Sequence, residues 1–224
     1  MGSINMGMNA TLFAQGTLKL KALAGAIVLS SSQQMEHLTD NELIALTLAG
    51  QKKAFEGIVR RYQKLVYNMI FQMVRSHETA ADLTQETFQK AYKNLGSFRN
   101  TAQLKPWLLK IASNATLNQI RDSKGRYFDS LEELLEESPN AEPSSAESVE
   151  DLVETRFSQA MLTDALQRLS PRHRQIFVLR FQQDLSYADI ASVVNETESA
   201  VKSMLFRIRE KLRKMMSEHQ PVEE

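Results

Sequence analysis

The chain has 224 residues and a formal net charge of zero, with 24% charged side chains and no cysteine. Because cysteine is absent, disulfide bonds, thiolate nucleophiles and cysteine-ligated zinc sites are excluded. The four histidines are scattered singly, and no glycine-rich phosphate loop or Gly-x-Ser-x-Gly motif occurs. The sequence therefore indicates no metal site, no cofactor and no catalytic centre.

The neutral total conceals an uneven distribution of charge. Residues 52–126 hold 14 Lys/Arg against 5 Asp/Glu, and residues 156–214 hold 11 Lys/Arg against 6 Asp/Glu. Between these blocks, residues 129–154 hold 10 Asp/Glu and no Lys/Arg. Two basic blocks separated by an acidic segment indicate two surfaces that face one polyanion.

Residues 1–35 are predicted to be a disordered leader. The apolar run 22–29, which follows Lys19 and Lys21, has the character of a signal peptide. A disordered leader, a short docking helix, or residues upstream of a true start at Met35 are the favoured interpretations, because no clear cleavage site follows. No run approaches the roughly 20 apolar residues of a membrane-spanning helix, so membrane insertion is not expected.

Four helices are predicted in the segment that follows. Thr39 and Glu42 form a T-x-x-E capping box at the start of the first helix. Apolar residues recur every three or four positions over 52–74, which predicts a long second helix. A third helix is predicted over 79–95. The fourth is predicted to start near Pro106, because proline is favoured in a first helical turn, and to end near residue 122.

The predicted third helix carries a polar stripe. Asp82, Gln85, Glu86 and Gln89 follow one another at helical spacing, while mostly apolar residues occupy the opposite side. Such a stripe is either an ordinary solvated face or a recognition surface for another protein.

The segment after this helix mixes aromatic, basic and amide side chains. Phe98 and Arg99 fall in a short loop, and the next helix carries further residues of these types: Trp107, Lys110, Asn114, Asn118 and Arg121. Aromatic side chains interleaved with Arg, Lys and Asn can hold unstacked nucleic-acid bases. A lone tryptophan at helical spacing is more often a core residue, so Trp107 is expected in the core.

Residues 125–155 interrupt the helical pattern. Their acidic, proline- and serine-containing composition predicts a flexible linker with room for a short helix at 131–135. The helical pattern resumes over 156–217, and the tail 218–224 is expected to fray. The predicted fold is all-α, with two small helical domains, 36–124 and 156–217, joined by this linker.

Residues 187–215 have the spacing of a helix-turn-helix. Ala191 is small enough for two helices to cross, Asn195 can adopt the left-handed turn conformation, and Val201 points back into the crossing. The second helix carries six Lys/Arg against two Glu, so it should attract phosphate. An ordinary helical hairpin with a solvated basic face would show the same pattern.

Two long strings resemble conserved regions of one protein family. The second conserved region of bacterial RNA polymerase sigma factors is similar to DLTQETFQKAYKNLGSFRNTAQLKPWLLKIASN, and the fourth region is similar to LQRLSPRHRQIFVLRFQQDLSYADIASVVNETESAVKSMLFRIREKLR. The order of the two regions and the short linker between them resemble the extracytoplasmic-function branch. The resemblance covers residues 38–216.

The resemblance implies a cytoplasmic sigma factor that is not an enzyme. Such a protein binds core RNA polymerase and directs it to promoters through a −10 and a −35 element. Residues 36–124 would then be sigma region 2, and residues 156–217 would be sigma region 4. The resemblance assigns the following residues to polymerase docking: Asp82, Gln85, Glu86 and Phe88.

The resemblance also assigns the contacts with promoter DNA. The loop 95–103 corresponds to the family's −10 recognition loop, which binds single-stranded DNA. The residues expected there and on the following helix are Phe98, Arg99, Asn100, Lys110, Asn114 and Asn118. The residues expected at the duplex −35 element are Lys202, Ser203, Phe206, Arg207, Arg209 and Arg213, with Arg209 and Arg213 binding phosphate. The residues expected to be buried are Val201, Leu205, Ile208 and Leu212.

The chain departs from the family pattern at two positions of the recognition helix. Ala200 stands where Thr or Ser is common, which would remove a backbone contact, and Met204 replaces a common Arg or Lys, which would change the sequence preference. Residues 1–34 have no counterpart. An anti-sigma protein is a further expected partner, because two small tethered domains can be clamped together.

Two other functions remain open from the sequence. A response-regulator-like transcription factor would bind duplex DNA without polymerase, but it would not need the polar stripe at Asp82. A degenerate homologue that sequesters a regulator would not need a basic recognition helix. Both features therefore favour the sigma factor.

Overall fold

The structure is a computed structural model that describes residues 35, 37–98, 103–124 and 159–217, and all regular elements within them are helical. The eight α-helices in this part of the chain are α1 (Asp40–Leu48), α2 (Lys52–Val74), α3 (His77–Asn94), α4 (Leu104–Lys124), α5 (Gln159–Gln167), α6 (Pro171–Phe177), α7 (Tyr187–Val194) and α8 (Glu198–Ser217). A 3₁₀ turn (Leu95–Ser97) follows α3, and a π-helical turn (Val178–Gln182) follows α6. The all-α prediction is confirmed.

The predicted helix boundaries agree closely with the observed ones. The second predicted helix matches α2 at both ends, while α3 and α4 each begin two residues earlier than predicted, at His77 and Leu104. The predicted leader, the acidic linker with its short helix at 131–135, and the tail lie outside the described residues, as do Arg99 and Asn100.

The described chain divides into two compact units. Residues 37–62 and 92–98 belong to one unit, and residues 63–91, 103–124 and 159–217 belong to the other. The division crosses α2 and α3 rather than following the predicted linker, because α4 packs against α6 and α7.

The first unit is organised by the start of α1. Thr39 Oγ1 accepts a hydrogen bond from the Glu42 amide at 3.3 Å, and Glu42 Oε2 accepts one from the Thr39 amide at 2.7 Å, which confirms the capping box. The hydrogen bonds that the Thr39 amide and hydroxyl donate to the Glu42 carboxylate lower the pKa of this carboxyl group. Arg61 and the Tyr62 hydroxyl both donate to Asp40, so that two side chains of α2 hold the first turn of α1.

The second unit is built around the crossing of α7 and α8. Helix α8 also packs against α5 and α6, and α4 packs against α7. The side chains that fill the space between these helices are apolar and almost fully buried, and they include Leu108, Leu109, Ile176, Phe177, Leu179, Ile190, Val194, Val201 and Ile208. Each such side chain contributes about 1.5–3 kcal/mol through burial, which fixes the position of the helix-turn-helix.

Candidate functional site

The turn between α7 and α8 has the backbone geometry of a helix-turn-helix. Ser186 caps α7, since its Oγ accepts a hydrogen bond from the Asp189 amide at 3.1 Å. The helix ends at Asn195, which has φ 64° and ψ 41°, and the Glu196 amide then donates to the Ala191 carbonyl at 3.0 Å. Asparagine tolerates this left-handed conformation better than most residues, so the predicted turn at Asn195 is confirmed.

Side chains from both sides hold this turn. Arg172 on α6 donates to the Val194 carbonyl and, at 3.2 Å, to Glu196 Oε1. Thr197 Oγ1 accepts a hydrogen bond from the Ala200 amide at 3.1 Å and so caps the start of α8. The direction in which α8 leaves the turn is therefore fixed by hydrogen bonds at the end of α7 and at its own first turn.

Helix α8 has one buried stripe and one outward face. The four residues predicted to be buried are buried: Val201, Leu205, Ile208 and Leu212. Of the predicted −35 contacts, Lys202 and Arg213 are exposed, and Ser203, Phe206 and Arg207 are half-buried on the sides away from the stripe. The helix therefore presents basic and polar side chains outward while its apolar stripe holds it in the unit.

An aromatic ring positions the first of these cations. The Lys202 Nζ lies 5.5 Å from the centroid of the Tyr187 ring, and the guanidinium carbon of Arg180 lies 5.2 Å from the same centroid. Cations are attracted to the face of an aromatic ring at such distances. Tyr187, at the start of α7, thus links two basic side chains near the first turn of α8.

The side chain of Arg209, a predicted phosphate contact, is largely covered by its neighbours. Its side chain is only 9% exposed, with the guanidinium carbon 5.3 Å from the Phe206 ring centroid and Nε 3.5 Å from Glu210 Oε1. Arg209 follows Ile208 directly, so it lies on the flank of the buried stripe, where the Phe206 ring, one turn earlier, covers it. Arg209 therefore packs beneath the outward face, and its phosphate contact stays a prediction, whereas Arg213 is exposed and donates to Glu210 Oε1 at 3.2 Å.

The polar stripe of α3 is accessible, but one predicted docking residue is not. Asp82, Gln85 and Gln89 are exposed, and Glu86 forms an ion pair at 2.5 Å with Lys90, one turn further on. Such surface pairs are worth about 0–1 kcal/mol, so a partner can displace Lys90 easily. Phe88 is 6% exposed and lies on the buried side of the helix, and its role in docking stays a prediction.

The predicted −10 residues are distributed over the two units. Phe98 is half-buried and follows the 3₁₀ turn in the first unit, while Lys110, Asn114 and Asn118 share one side of α4 in the second. Asn114 and Asn118 are exposed, but the Lys110 Nζ donates to the Ser192 carbonyl at 2.7 Å and to Asn195 Oδ1 at 3.2 Å. Trp107 is half-buried, so the expectation of a core position holds only in part.

Sequence reasoning missed a structural residue that supports the helix-turn-helix. Arg174 on α6 is 5% exposed, and its three nitrogens donate to the carbonyls of Leu166, Gln167, Leu169 and Met73 and to Gln167 Oε1, at 2.7–3.2 Å. Burial lowers the pKa of this guanidinium, although an arginine remains charged in a protein. No local sequence signal marked this residue, because Arg174 is one of four consecutive polar residues in α6, from Arg172 to Gln175.

The described residues show neither a metal site nor a transmembrane segment. In residues 35, 37–98, 103–124 and 159–217, no three His, Cys, Asp or Glu side chains come together as metal ligands. Within the same residues, no helix combines the length and the apolar character that crossing a bilayer requires.

Comparison with known proteins identifies two regions of one family. The family model described as Sigma-70 region 2 matches residues 58–126, and the one described as Sigma-70, region 4 matches residues 159–212. The ECF RNA polymerase sigma factor BldN of Streptomyces coelicolor is 34% identical over 167 residues, which are 74% of this chain and 61% of BldN. The RNA polymerase sigma-H factor of Pseudomonas aeruginosa is 32% identical over 181 residues, which are 79% of this chain and 93% of that protein.

A solved structure supports the fold. The sigma factor RpoE from Bartonella quintana, in a co-crystal structure with the anti-sigma factor NepR, matches with a TM-score of 0.55 at 24% identity and covers 75% of this chain and 99% of that chain. The chain spans about three fifths of the length of BldN and nearly all of the length of the sigma-H factor.

Proposed function

The chain belongs to the ECF branch of the RNA polymerase sigma factors, and we propose that it divides promoter recognition between the outward face of α8 and the region of α4 with its preceding loop. As a member of this family it is a promoter-recognising transcription initiation factor that binds core RNA polymerase. The observation that carries the division is the structure of α8, which completes a helix-turn-helix and presents basic and polar side chains outward.

Helix α8 is proposed to read the −35 element as duplex DNA. A recognition helix enters the major groove with its N-terminal residues toward the base edges, which suits Lys202, Ser203, Phe206 and Arg207. Arginine is the commonest residue to pair with guanine O6 and N7 there, and it also binds phosphate. Arg213, one turn and a half further on, suits a phosphate contact, whereas Arg209 holds Phe206 in place.

The −10 element is proposed to be bound as a single strand by the segment from Phe98 to Asn118. Aromatic side chains and amides can stack with and hydrogen-bond to splayed bases. Asn114 and Asn118 are exposed at one-turn spacing on α4, and Lys110 precedes them by one turn. Arg99 and Asn100, which lie outside the described residues, complete the proposed set.

The polar stripe of α3 is proposed to dock on core polymerase through Asp82, Gln85 and Glu86. Asp82 and Gln85 are exposed and Glu86 is half-buried, and together they provide a hydrophilic surface on the helix whose other side buries Phe88 and Leu83. A polar surface suits a contact that must form and dissociate during each round of initiation.

An anti-sigma protein is proposed as a second partner, because the structurally similar RpoE was crystallised with one. We further propose that the protein has no catalytic activity of its own and acts in the cytoplasm with the polymerase. Purification from native cells under several growth conditions should recover such a partner under some of them, and recovery of polymerase alone under all of them would contradict this.

Run-off transcription with core polymerase and a library of promoter fragments tests the proposed function. The protein should give promoter-dependent transcripts, and the double substitution Asp82→Ala with Glu86→Ala should reduce them at least tenfold by weakening docking. The matched control is Asp122→Ala with Asp164→Ala, which removes two exposed carboxylates from α4 and α5 and should leave transcription unchanged.

The outcomes separate the alternatives. Promoter binding without any promoter-dependent transcript would contradict the sigma function and favour a plain DNA-binding regulator. An equal loss of transcription in both double variants would contradict the assignment of docking to α3.

A further inference from the structure

Helix α1 precedes the residues that the Sigma-70 region 2 model matches, 58–126, but it is packed tightly into the first unit. Four of its nine residues are buried: Leu43, Ile44, Leu46 and Thr47. The helix packs against the 3₁₀ turn Leu95–Ser97, which forms the start of the proposed −10 loop. The position of α1 therefore bears directly on the position of this loop.

Two side chains of α2 fix the first turn of α1. The Arg61 guanidinium donates to Asp40 Oδ1 and, at 2.6 Å, to the Leu38 carbonyl, while the Tyr62 hydroxyl donates to Asp40 Oδ2. Burial raises the pKa of Tyr62, and the hydrogen bond to Asp40 raises it further, so the hydroxyl stays protonated and remains a donor at neutral pH. Both carboxylate oxygens of Asp40 are thus bound from α2. We call Asp40, Arg61 and Tyr62 the Asp40 clamp.

The same two helices also approach each other closely one turn further along α1. A Cβ added to Gly57 of α2 would lie 3.0 Å from Leu43 Cδ2, which is closer than ordinary van der Waals contact. The glycine therefore lets the buried Leu43 side chain lie directly against α2. Helix α1 is held on α2 by hydrogen bonds at its first turn and by this apolar contact at its second.

The 3₁₀ turn depends on its neighbours for its position. The Phe98 amide donates to the Leu95 carbonyl at 3.1 Å, and Ser97 Oγ donates to the Asn94 carbonyl at 2.7 Å, so both hydrogen bonds close the turn on itself. Of the three residues of the turn, Leu95 alone is buried. Packing against the turn, to which α1 contributes, therefore sets the direction in which the chain continues to Phe98.

We propose that the Asp40 clamp is a positioning device for −10 recognition: by fixing α1 on α2, it holds the 3₁₀ turn in place and so presents the loop that begins there to single-stranded DNA. A segment that is ordered before it binds loses less conformational entropy on binding, which strengthens its affinity. The three residues of the clamp act through α1 and need not touch DNA. This inference rests on the proposed assignment of the −10 element to this loop.

Two matched substitutions on α2 test the clamp. Tyr62→Phe removes the hydroxyl that donates to Asp40, whereas Tyr67→Phe removes a hydroxyl that lies 2.6 Å from His77 Nδ1 in the other compact unit. Each substitution deletes one hydroxyl, and neither changes the net charge. Tyr62→Phe should weaken binding of the full-length protein to a single-stranded −10 oligonucleotide about fivefold, part of the effect of losing a hydrogen bond to a charged group. Tyr67→Phe should leave this affinity unchanged, and neither variant should change −35 duplex binding.

A label on the turn separates positioning from a general loss of stability. The chain contains no cysteine, and a Cβ added at Gly96 would meet no atom within 4 Å, so Gly96→Cys provides a single site for a nitroxide label. In this background, Tyr62→Phe and Asp40→Ala should increase the mobility of the label in electron paramagnetic resonance spectra. Asp40→Glu, which keeps a carboxylate, should restore both the spectrum and the −10 affinity. Circular dichroism should show the same helix content in all variants.

The contrary outcomes are distinct from those of the proposed function. Weaker −10 binding without a more mobile label, or a more mobile label without weaker −10 binding, would overturn the positioning role. The same changes in Tyr67→Phe as in Tyr62→Phe would overturn it too, because they would not depend on Asp40. Failure of the unmodified protein to bind the −10 oligonucleotide would instead contradict the proposed function, and this outcome is recognised without any substitution in the clamp.

Discussion

The helices α4 and α8 both carry proposed DNA contacts, but their cations have different surroundings. On α8 the buried stripe around Val201 and Leu205 holds the helix, and Lys202 and Arg213 project outward. On α4, Lys110 donates to the Ser192 carbonyl of the helix-turn-helix, and Lys105 donates to the Gln183 carbonyl, which precedes it. The sequence blocks that contain these helices are both basic, so charge content does not distinguish them. The acceptors within reach of each lysine or arginine decide whether it is available to DNA.

The difference follows from what each helix packs against. Helix α8 meets α5, α6 and α7 mainly through apolar side chains, which leaves its polar positions facing outward. Helix α4 meets the C-terminal end of α7, where unpaired carbonyls attract cations. When a basic helix packs against the C-terminus of another helix, some of its cations therefore bind carbonyls of the protein and are less available to DNA.

The largest expected effect comes from Arg174, a buried cation on α6, the helix that packs against both α4 and α8. Arg174→Met should lower the free energy of unfolding by about 3–5 kcal/mol, because it removes a buried guanidinium and leaves several backbone carbonyls without donors. Chemical denaturation followed by circular dichroism measures this loss. Arg168→Met removes an exposed arginine that pairs with Asp164, so it should change stability by less than about 0.5 kcal/mol. A similar effect of both substitutions would show that burial of Arg174 does not support the fold.

The next comparison separates two arginines of α8 that are only two positions apart. Arg207→Ala should weaken binding to a −35 duplex by about 1–3 kcal/mol and leave both unfolding and polymerase docking unchanged. Arg209→Ala should instead lower stability by about 1 kcal/mol, because it removes packing and the cation–π contact with Phe206. Fluorescence anisotropy over a series of salt concentrations, together with thermal denaturation, measures both properties. If Arg209→Ala reduces the salt dependence of binding as a lost phosphate contact would, its supporting role is wrong.

The sequence predicted much of the second unit because its signals are local. The apolar period of α8 and the left-handed preference of Asn195 depend on neighbouring residues, and both were confirmed. The burial of Arg209 was not predicted, because periodicity does not tell which side chain at the edge of a stripe is covered. The contact of Lys110 with Asn195 joins residues 85 positions apart, so no local pattern contained it.

The smallest expected effect concerns the exposed side chains of α4, which lie beside the lysines that are hydrogen-bonded to backbone carbonyls. Asn118→Ala should weaken binding to a single-stranded −10 oligonucleotide by about 0.5–1.5 kcal/mol, the value of one neutral hydrogen bond, and leave −35 duplex binding unchanged. Gln119→Ala, at the adjacent exposed position, is the matched control and should have little effect. Titration of both variants with each DNA measures the four affinities. An equal loss of affinity for both DNAs would indicate damage to the fold. Unchanged affinity for the single strand would instead place the −10 contacts in the loop before α4. Helix α4 would then contact the helix-turn-helix but not the −10 element.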